Sequence, residues 1–319
     1  MSKRYFERIG FTGDGAQLIT EIGDEFNLGQ VQTSAVLTVG FEDCNVKVEA
    51  GSGSYVIKAF GTWRSESDIN RYIEVIQAAV DGGVSHPALH QTKACEALLR
   101  RQDGISAIVM DFIEGQTYFD AKNVPTDGEL ALIAKEAQKI HQLGINPPFV
   151  PDTWAIPNIN KMYGITRQFL DDDGHRLTQA ALERYGAINK DRLEKCFVHG
   201  DIISTNTLKD GDGKIWILDF SVSNVYPKIQ ELAVSTSLLA DDKKFIPLEE
   251  RVERVREAYL SVWGTLTDYD HSVLTDYSIA GAAMEFMGGH KAKYIDKEDP
   301  LESDHWVKIG KETLQEALK

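Results

Sequence analysis

The sequence predicts an α+β fold of two lobes, in which a β-rich N-terminal lobe with one long helix precedes a mostly helical C-terminal lobe. In the first third of the chain, β-prone runs alternate with turns. Further along, apolar residues recur at helical spacing. The 319 residues, 42% of them hydrophobic, are enough to bury a large core. We place the lobe boundary between residues 1–112 and 113–319.

In the N-terminal lobe, residues 35–40, 45–50 and 55–60 read as strands, with turns at 41–44 and 51–53. Lys58 lies inside the third strand, among valine, isoleucine and alanine. Burying this lysine without an anionic partner would be costly, so the pattern leaves two interpretations. Lys58 either has such a partner or points to solvent from an edge strand.

One long helix and one further strand complete this lobe. Ser65 predicts an N-cap, Asp68 follows three residues later, and the pair Gly82-Gly83 predicts the end of the helix. An apolar stripe between these ends has helical spacing. Residues 105–112 then read as a strand that runs toward Gly115.

The second lobe is predicted to be helical because its apolar residues follow a period near 3.6. The predicted segments are 127–143, 178–189, 229–240, 248–264, 272–288 and 306–318.

Residues 197–220 carry the most chemical information. They place His199, Asp201 and Asn206 in the order His-x-Asp-x-x-x-x-Asn, and Asp219 follows thirteen residues after Asn206. Phosphoryl transfer requires an acid that orients and deprotonates a hydroxyl, together with an amide and a second carboxylate that hold Mg²⁺. His-Gly-Asp alone occurs by chance, whereas the complete set at this spacing is specific.

A hairpin is predicted between these groups. Residues 207–209 and 215–218 are β-prone, and the Asp-Gly-Asp-Gly run at 210–213 reads as a tight turn. Such a hairpin brings Asp219 alongside Asn206, so that two oxygen ligands converge on one hard cation.

This segment resembles the catalytic and metal-binding region of the aminoglycoside phosphotransferase and choline kinase-like family, which reads His-Gly-Asp where protein kinases read His-Arg-Asp. Homoserine kinase of the protein-kinase-like type is similar. The resemblance implies a bilobal, protein-kinase-like fold. It also implies Asp201 as the catalytic base, and Asn206 and Asp219 as magnesium ligands, with His199 and Glu231 bracing the loop.

The same resemblance assigns the nucleotide site. Lys58 is expected to contact the α- and β-phosphates of ATP. The strand at 105–112 looks like the interlobe hinge, where the Asp111 carbonyl and the Ile113 amide would read the adenine edge. Backbone amides at 41–45 are expected to cover the phosphates, since no Gly-x-Gly-x-x-Gly precedes Lys58.

Three departures from the pattern of protein kinases are visible. Where kinase-like folds place a helix glutamate, Glu74 faces away from the apolar stripe and Tyr72 faces inward. Either another acid such as Glu66 steadies Lys58, or the helix register differs from the one assumed, or the protein handles ATP atypically. Ser221 replaces the glycine of Asp-Phe-Gly. The gap between Asp219 and Glu231 leaves no room for a long activation segment, which disfavours a protein substrate.

Composition limits the partners. The formal net charge of −15 argues against nucleic acid and is compatible with a cationic or zwitterionic acceptor. Three widely spaced cysteines without a Cys-x-x-Cys pair predict free thiols in a reducing compartment. No apolar run has the length of a membrane span, and no signal peptide is recognisable at the N-terminus, so we expect a cytoplasmic protein without a membrane partner.

The sequence therefore favours an ATP- and Mg²⁺-dependent kinase that phosphorylates a hydroxyl of a small molecule such as an aminoglycoside, choline or homoserine. Two alternatives stay open. A nucleotide-binding pseudokinase is suggested by the absent helix glutamate and glycine loop, and a protein kinase is the third interpretation. The pattern does not predict the oligomeric state.

Overall fold

A computed structural model of the chain describes residues 3–38, 43–241, 243–298 and 300–319. The predicted end of the first strand at 39–40, and the predicted phosphate-covering amides of residues 41 and 42, lie outside these ranges. The chain divides into two compact units. The first comprises Met1–Gly115 and Asp210–Leu218, and the second comprises Gln116–Lys209 and Asp219–Lys319.

The first unit is built on a five-stranded antiparallel sheet with strand order β1-β2-β3-β5-β4. Its strands are β1 (Val31–Leu37), β2 (Cys44–Ala50), β3 (Gly53–Phe60), β4 (Leu99–Arg100) and β5 (Ser106–Asp111). In the register of β2 and β3, Asn45 lies opposite Lys58 and Cys44 lies opposite Ala59. The tight connection between β2 and β3 fixes this register.

Three helices complete the first unit, namely α1 (Lys3–Arg8), α2 (Gly15–Glu25) and α3 (Glu66–Asp81). Alternate residues of β2 and β3 share one buried cluster with apolar side chains of α1 and α2, as the period of two in a strand requires. Lys58 and Phe60 are in the other alternate set, and both contact the ring of Tyr72 on α3. The strand alternation therefore directs Lys58 toward α3.

The remaining strands are short. They are β6 (Gly115–Thr117), β7 (Lys195–Val198), β8 (Thr207–Asp210), β9 (Ile215–Ile217) and β10 (Asn224–Pro227). β7 pairs antiparallel with β10. The turn between β8 and β9 is closed by the Asp210 amide, which donates to the Lys214 carbonyl at 3.1 Å. The hairpin predicted between Asn206 and Asp219 is thus present.

The second unit is mainly helical. Its helices are α4 (Tyr118–Ala121), α5 (Asp127–His141), α6 (Ile159–Thr166), α7 (Asp172–Ala187), α8 (Lys228–Ser235), α9 (Leu248–Ser261), α10 (Asp268–Lys291) and α11 (Pro300–Ala317). The helix α10 contacts α6, α7, α8, α9 and α11, and residues on several of its faces are buried. It continues into a π-helical turn at Ala292–Asp296. The core of this unit is therefore assembled around α10.

The predicted combination of a β-rich N-terminal region and a helical remainder is confirmed. Ser65 caps α3 by accepting from the Asp68 amide, as predicted. The sequence did not predict α1, α2, α4, α6, β4, β6 or β10. Within the part of the chain that the structure describes, every helix is too short or too polar to cross a membrane.

Candidate active site

The loop after β7 is held by one buried carboxylate. Glu231, on α8, is 1% exposed. Its Oε2 accepts from the His199 amide at 2.6 Å, and its Oε1 accepts from the Gly200 amide at 3.1 Å. Gly200 has φ +82, a conformation that glycine adopts without a steric penalty. The Gly200 backbone therefore turns in a way that lets one carboxylate accept from two successive amides.

His199 ties this loop to the residue that follows Asp219. Its Nδ1 accepts from the Asp201 amide at 3.2 Å, so the ring proton belongs on Nε2. The imidazole is fully buried and meets the Phe220 ring edge-on, with centroids 4.5 Å apart. The contacts of His199 are therefore those of a bracing residue.

Asp201 and Asn206 are in direct contact. The Asn206 side-chain amide donates to Asp201 Oδ2 at 2.6 Å and to the Asp201 carbonyl at 3.1 Å. Burial of the carboxyl raises the pKa of Asp201 well above its ordinary value, and the negative charges of Asp152 and Asp219 raise it further. The loop thus holds a proton-accepting group whose neighbours are themselves anionic.

Asp219 ends the hairpin in a special conformation. Its φ is +64, in the left-handed region that aspartate tolerates better than most residues. Its Oδ1 accepts from the Ser221 amide at 3.1 Å. Ser221 is absent from the described residues with positive φ, so this position does not require the glycine of Asp-Phe-Gly. The serine is therefore compatible with the local backbone.

The oxygen donors fit a hard divalent cation. Asn206 uses its amide nitrogen to contact Asp201, which leaves Oδ1 as its metal-ligating atom, and Asp219 contributes a carboxylate. Among the described residues, no set of three His, Cys, Asp or Glu side chains is arranged to hold an ion. Mg²⁺ commonly takes only one or two protein oxygens and completes its shell with phosphates and water. An amide and a carboxylate are a suitable donor set for that mode.

In the first unit, Lys58 has an acidic partner, but it is not Glu66, the acid that the sequence suggested. Lys58 Nζ lies 3.3 Å from Asp43 Oδ2, and both side chains are almost fully buried. Glu66 instead contacts Arg100 at the surface, at 3.0 Å, and Glu74 is exposed. The expectation that Glu66 steadies Lys58 is therefore wrong. The interpretation of Lys58 as a solvent-facing edge lysine is wrong as well.

Asp43 is held from a second side by Arg64. The guanidinium donates from Nε to Oδ1 at 2.8 Å and from Nη2 to Oδ2 at 3.0 Å, which is a bidentate pair. Tyr72 presents its ring to the lysine, with the centroid 4.8 Å from Lys58 Nζ. Lys58 thus contacts both a carboxylate, which Arg64 holds, and an aromatic ring.

The hinge residues lie at the end of β5. Asp111 is the last residue of β5 and pairs with Tyr55 of β3, while Ile113 follows two residues later and is partly exposed. The Asp111 side chain is 2.7 Å from His90 Nε2. The role of the Asp111 carbonyl and the Ile113 amide in adenine recognition stays a prediction.

Sequence reasoning missed several neighbours of these groups. Asp43 and Asp152 gave no motif, because each is a single acid in an irregular segment. His141, the last residue of α5, is also a neighbour of the loop-holding carboxylate: its Nε2 is 3.7 Å from Glu231 Oε2, and its Nδ1 is 2.7 Å from the Tyr259 hydroxyl. Only the position of His141 at the end of an amphipathic helix hinted at this contact.

Comparison with known proteins places this geometry in context. A family model described as the phosphotransferase enzyme family matches residues 35–271. The homoserine kinase of Methylobacillus flagellatus is 22% identical over 200 residues, which are 61% of this chain and 60% of that protein. The match thus spans less than two thirds of the length of this relative.

Solved structures show the fold. Spectinomycin phosphotransferase, in complex with ADP and spectinomycin, aligns with a TM-score of 0.67 at 16% identity over 96% of this chain and 99% of that one. An amicoumacin kinase, in complex with AMP-PNP, Ca²⁺ and its ligand, aligns with a TM-score of 0.69 at 15% identity over 99% and 96%. The predicted protein-kinase-like fold is confirmed by these similarities.

Proposed function

Because the chain belongs to the phosphotransferase enzyme family, we propose that it is a kinase that transfers the γ-phosphoryl group of ATP to a hydroxyl of a small molecule. One observation carries this proposal. The Asp201 carboxylate contacts the Asn206 amide, beside the charge of Asp219, on a loop that Glu231 holds by two backbone amides. This arrangement suits a catalytic base that is held in a fixed position beside oxygen ligands for a metal ion.

In the proposed reaction, Asp201 orients the acceptor hydroxyl and takes its proton. The acceptor oxygen forms a bond to the γ-phosphorus, the bond from that phosphorus to the β,γ-bridging oxygen breaks, and ADP leaves. His199 and Glu231 act only by holding the loop in place. The raised pKa of Asp201 suits this role, because a base works best when its pKa approaches the working pH.

The nucleotide-binding roles in this proposal are those that the sequence predicts. Asn206 and Asp219 would ligate Mg²⁺, which when bound neutralises charge on the phosphates. Lys58 would contact the α- and β-phosphates. The Asp111 carbonyl and the Ile113 amide would pair with adenine.

The acceptor in this proposal carries a positively charged amino or quaternary ammonium group. Asp152 and Asp219 both add negative charge around Asp201, and such a field favours a cationic or zwitterionic molecule over an anionic one. Aminoglycosides, choline and homoserine meet this description. A cytoplasmic location, where ATP is available, also fits the free state of Cys44, Cys95 and Cys196.

A nucleotide-binding protein without turnover is the second candidate. The observation that favours it is Tyr72, which occupies the inward-facing helix position where kinase-like folds carry a glutamate. A protein kinase is the weakest alternative, because only eight residues separate Asp219 from the start of α8 at Lys228.

A transfer screen separates these candidates. The protein is incubated with Mg²⁺ and radiolabelled ATP against a panel of amino alcohols, aminoglycosides and hydroxy amino acids, and binding of Mg-ATP is measured by calorimetry. We expect binding together with phosphorylation of at least one amino-bearing hydroxyl compound. Binding without transfer across the whole panel would favour the non-catalytic candidate, and labelled protein in a lysate would favour the protein kinase.

A further inference from the structure

The cluster formed by Asp43, Lys58 and Arg64 is an unusual feature of the first unit, because it places three charges in a nearly dry environment. The side chains of Lys58, Asp43 and Arg64 are 3%, 2% and 9% exposed. Burying an ion pair is costly, and replacing it with packed apolar side chains is often neutral or stabilising. A gain in stability therefore does not explain why these charged residues are buried together.

The strand lysine of a kinase-like fold works only when an acid fixes its position, and that acid ordinarily lies on the adjacent helix. In this chain the inward-facing position of α3 is Tyr72, whose ring face lies 4.8 Å from Lys58 Nζ. An aromatic face attracts a cation but cannot accept its protons in the directed way that a carboxylate does. Tyr72 thus leaves the role of the acid to another residue.

We propose that Asp43 is the positioning residue for Lys58 and that Arg64 fixes Asp43 in turn. This inference rests on the proposed function of the site. Asp43 directly precedes β2, whose antiparallel pairing with β3 sets Cys44 opposite Ala59 and so carries Asp43 to the Lys58 end of the sheet. The bidentate contact with Arg64 restricts the carboxylate to one orientation.

The charge balance of the cluster fits a phosphate site. Lys58 and Arg64 contribute two positive charges and Asp43 one negative charge, so Asp43 alone does not neutralise the two cations, and positive charge is favourable beside anionic phosphates. Asp43, which directly precedes β2, therefore takes the role that a helix glutamate has in other kinase-like folds, and Arg64 compensates for the negative charge that Asp43 brings to the site.

The test is Asp43→Asn, with kcat, KM for ATP and the Kd of Mg-ADP measured on the same preparation. Asparagine keeps the shape of the side chain and can still accept from Arg64, but it no longer anchors Lys58. We expect kcat to fall about 10- to 100-fold while the Kd changes less than about threefold, because the positive charge facing the nucleotide is retained and only its position is lost.

A rescue variant distinguishes positioning from a merely structural role. Asp43→Asn combined with Tyr72→Glu restores an acid from the helix side, and we expect it to recover at least about tenfold in kcat over Asp43→Asn alone. Glu49→Gln is the matched control, since Glu49 pairs with Lys47 at 2.9 Å on the same strand but is 38% exposed. This control is expected to keep the wild-type kcat.

An unchanged kcat in Asp43→Asn, or a folded double variant that stays at the single-variant rate, would overturn the inference. A wild-type protein that neither binds Mg-ADP nor transfers phosphate would instead overturn the proposed function, so the two failures are distinguishable. If Asp43→Asn does not fold, Arg64→Lys carries the test. Arg64→Lys keeps the positive charge but loses the bidentate contact with Asp43, so we expect a lower kcat at an unchanged Kd for Mg-ADP.

Discussion

At the scale of single residues, the environment that raises the pKa of Asp201 also has a cost in stability. Burial and the charges of Asp152 and Asp219 raise its pKa, so the folded state binds the Asp201 proton more tightly than the unfolded chain does. The ionised carboxylate therefore lowers the free energy of unfolding at neutral pH. The stabilising contribution of the proton bound to Asp201 is fully present only below the ordinary pKa of aspartate, near 3.8, and it is lost as the pH rises.

Asp201→Asn is therefore expected to stabilise the ligand-free protein. The free energy of unfolding of this variant should exceed that of the wild type at pH 7.5, and the difference should shrink as the pH is lowered toward 4. Urea titrations at several pH values measure both quantities. Asp212→Asn, in the exposed hairpin turn, serves as the control and should change little. A destabilised Asp201→Asn variant would contradict this account of the loop.

The residues of the proposed active site and Asp43 differ in how much the sequence reveals about them. Asp201, Asn206 and Asp219 stand out in the sequence because one hairpin of predictable length connects Asn206 and Asp219. Asp43 lies fifteen residues before Lys58, in a segment without a motif, and reaches the lysine only through the register of β2 and β3. Arg64 lies just before α3, in a turn with no motif of its own. Contacts that depend on register and loop path are not encoded locally.

At the scale of helices, the approach of α11 to α10 depends on Gly310. A Cβ at this position would lie 2.5 Å from the Phe286 amide nitrogen and 2.8 Å from the Ala282 carbonyl oxygen, which are backbone atoms of α10. These atoms move only if the helix moves. A side chain at residue 310 would therefore force the two helices apart.

Gly310→Ala is expected to lower the free energy of unfolding by about 2 kcal/mol or more. Gly164→Ala is the matched control in α6, where nothing lies within 4 Å of the added Cβ. Because alanine favours helix, this control should be neutral or stabilising by up to about 1 kcal/mol. Chemical denaturation of both variants measures the difference. If Gly310→Ala were as stable as Gly164→Ala, the two helices α10 and α11 would be able to move apart without a loss of stability.

Glu285 gives α10 a second testable property. The residue is partly exposed, but desolvation of its carboxyl raises the pKa to about 7 from 4.5, while the positive charge of Arg251 opposes the shift. The folded state thus favours protonated Glu285. The free energy of unfolding is expected to decrease as the pH rises from about 4.5 to about 7, and this contribution should be constant above that range.

Glu285→Gln should remove this slope and exceed the wild type in stability by on the order of 2 kcal/mol at pH 8, with the two proteins converging near pH 4.5. Urea titrations between pH 4.5 and 8 measure the slope. Glu312→Gln, at an exposed position of α11, is the control and should follow the wild type. A Glu285→Gln variant that retained the wild-type slope would assign the titration to another group.

The helices were predictable where capping and periodicity agreed. Thr126 and Glu129 form a capping box at the start of α5, and Ser65 caps α3, so both N-termini lie within one residue of the sequence prediction. The fully buried stretches of α10 have no polar face, and its start at Asp268 is set by the capping box of Thr267, which periodicity does not detect. The helices α1 and α2 are stabilised by the sheet that they cover, so their short apolar patterns carried too little signal.

At the scale of the whole molecule, nucleotide and metal are expected to stabilise the protein together. A ligand present at about 100 times its Kd raises the free energy of unfolding by roughly 2.7 kcal/mol. We expect Mg-AMP-PNP to produce a stabilisation of this size, and excess EDTA to remove most of it. Thermal unfolding with and without EDTA measures the effect.

In the presence of Mg²⁺, AMP-PNP should stabilise Asp219→Asn no more than it stabilises the wild type in the presence of EDTA. The reason is that the variant lacks the proposed carboxylate ligand. Asp210→Asn is the control, since Asp210 lies in the neighbouring hairpin and contacts Trp216 Nε1 at 2.8 Å instead. Full nucleotide stabilisation of Asp219→Asn would exclude Asp219 from the metal site.

The proposal that Asp201 is the catalytic base is tested most directly by single-turnover transfer of the γ-phosphoryl group. The transfer is measured for the wild type and Asp201→Asn with an acceptor found in the screen. We expect Asp201→Asn to bind Mg-ATP with a Kd within about threefold of the wild-type value. Its transfer rate should be lower by at least about a hundredfold, because only the proton-accepting group has been removed. Transfer by Asp201→Asn at the wild-type rate would contradict the assignment of Asp201 as the catalytic base.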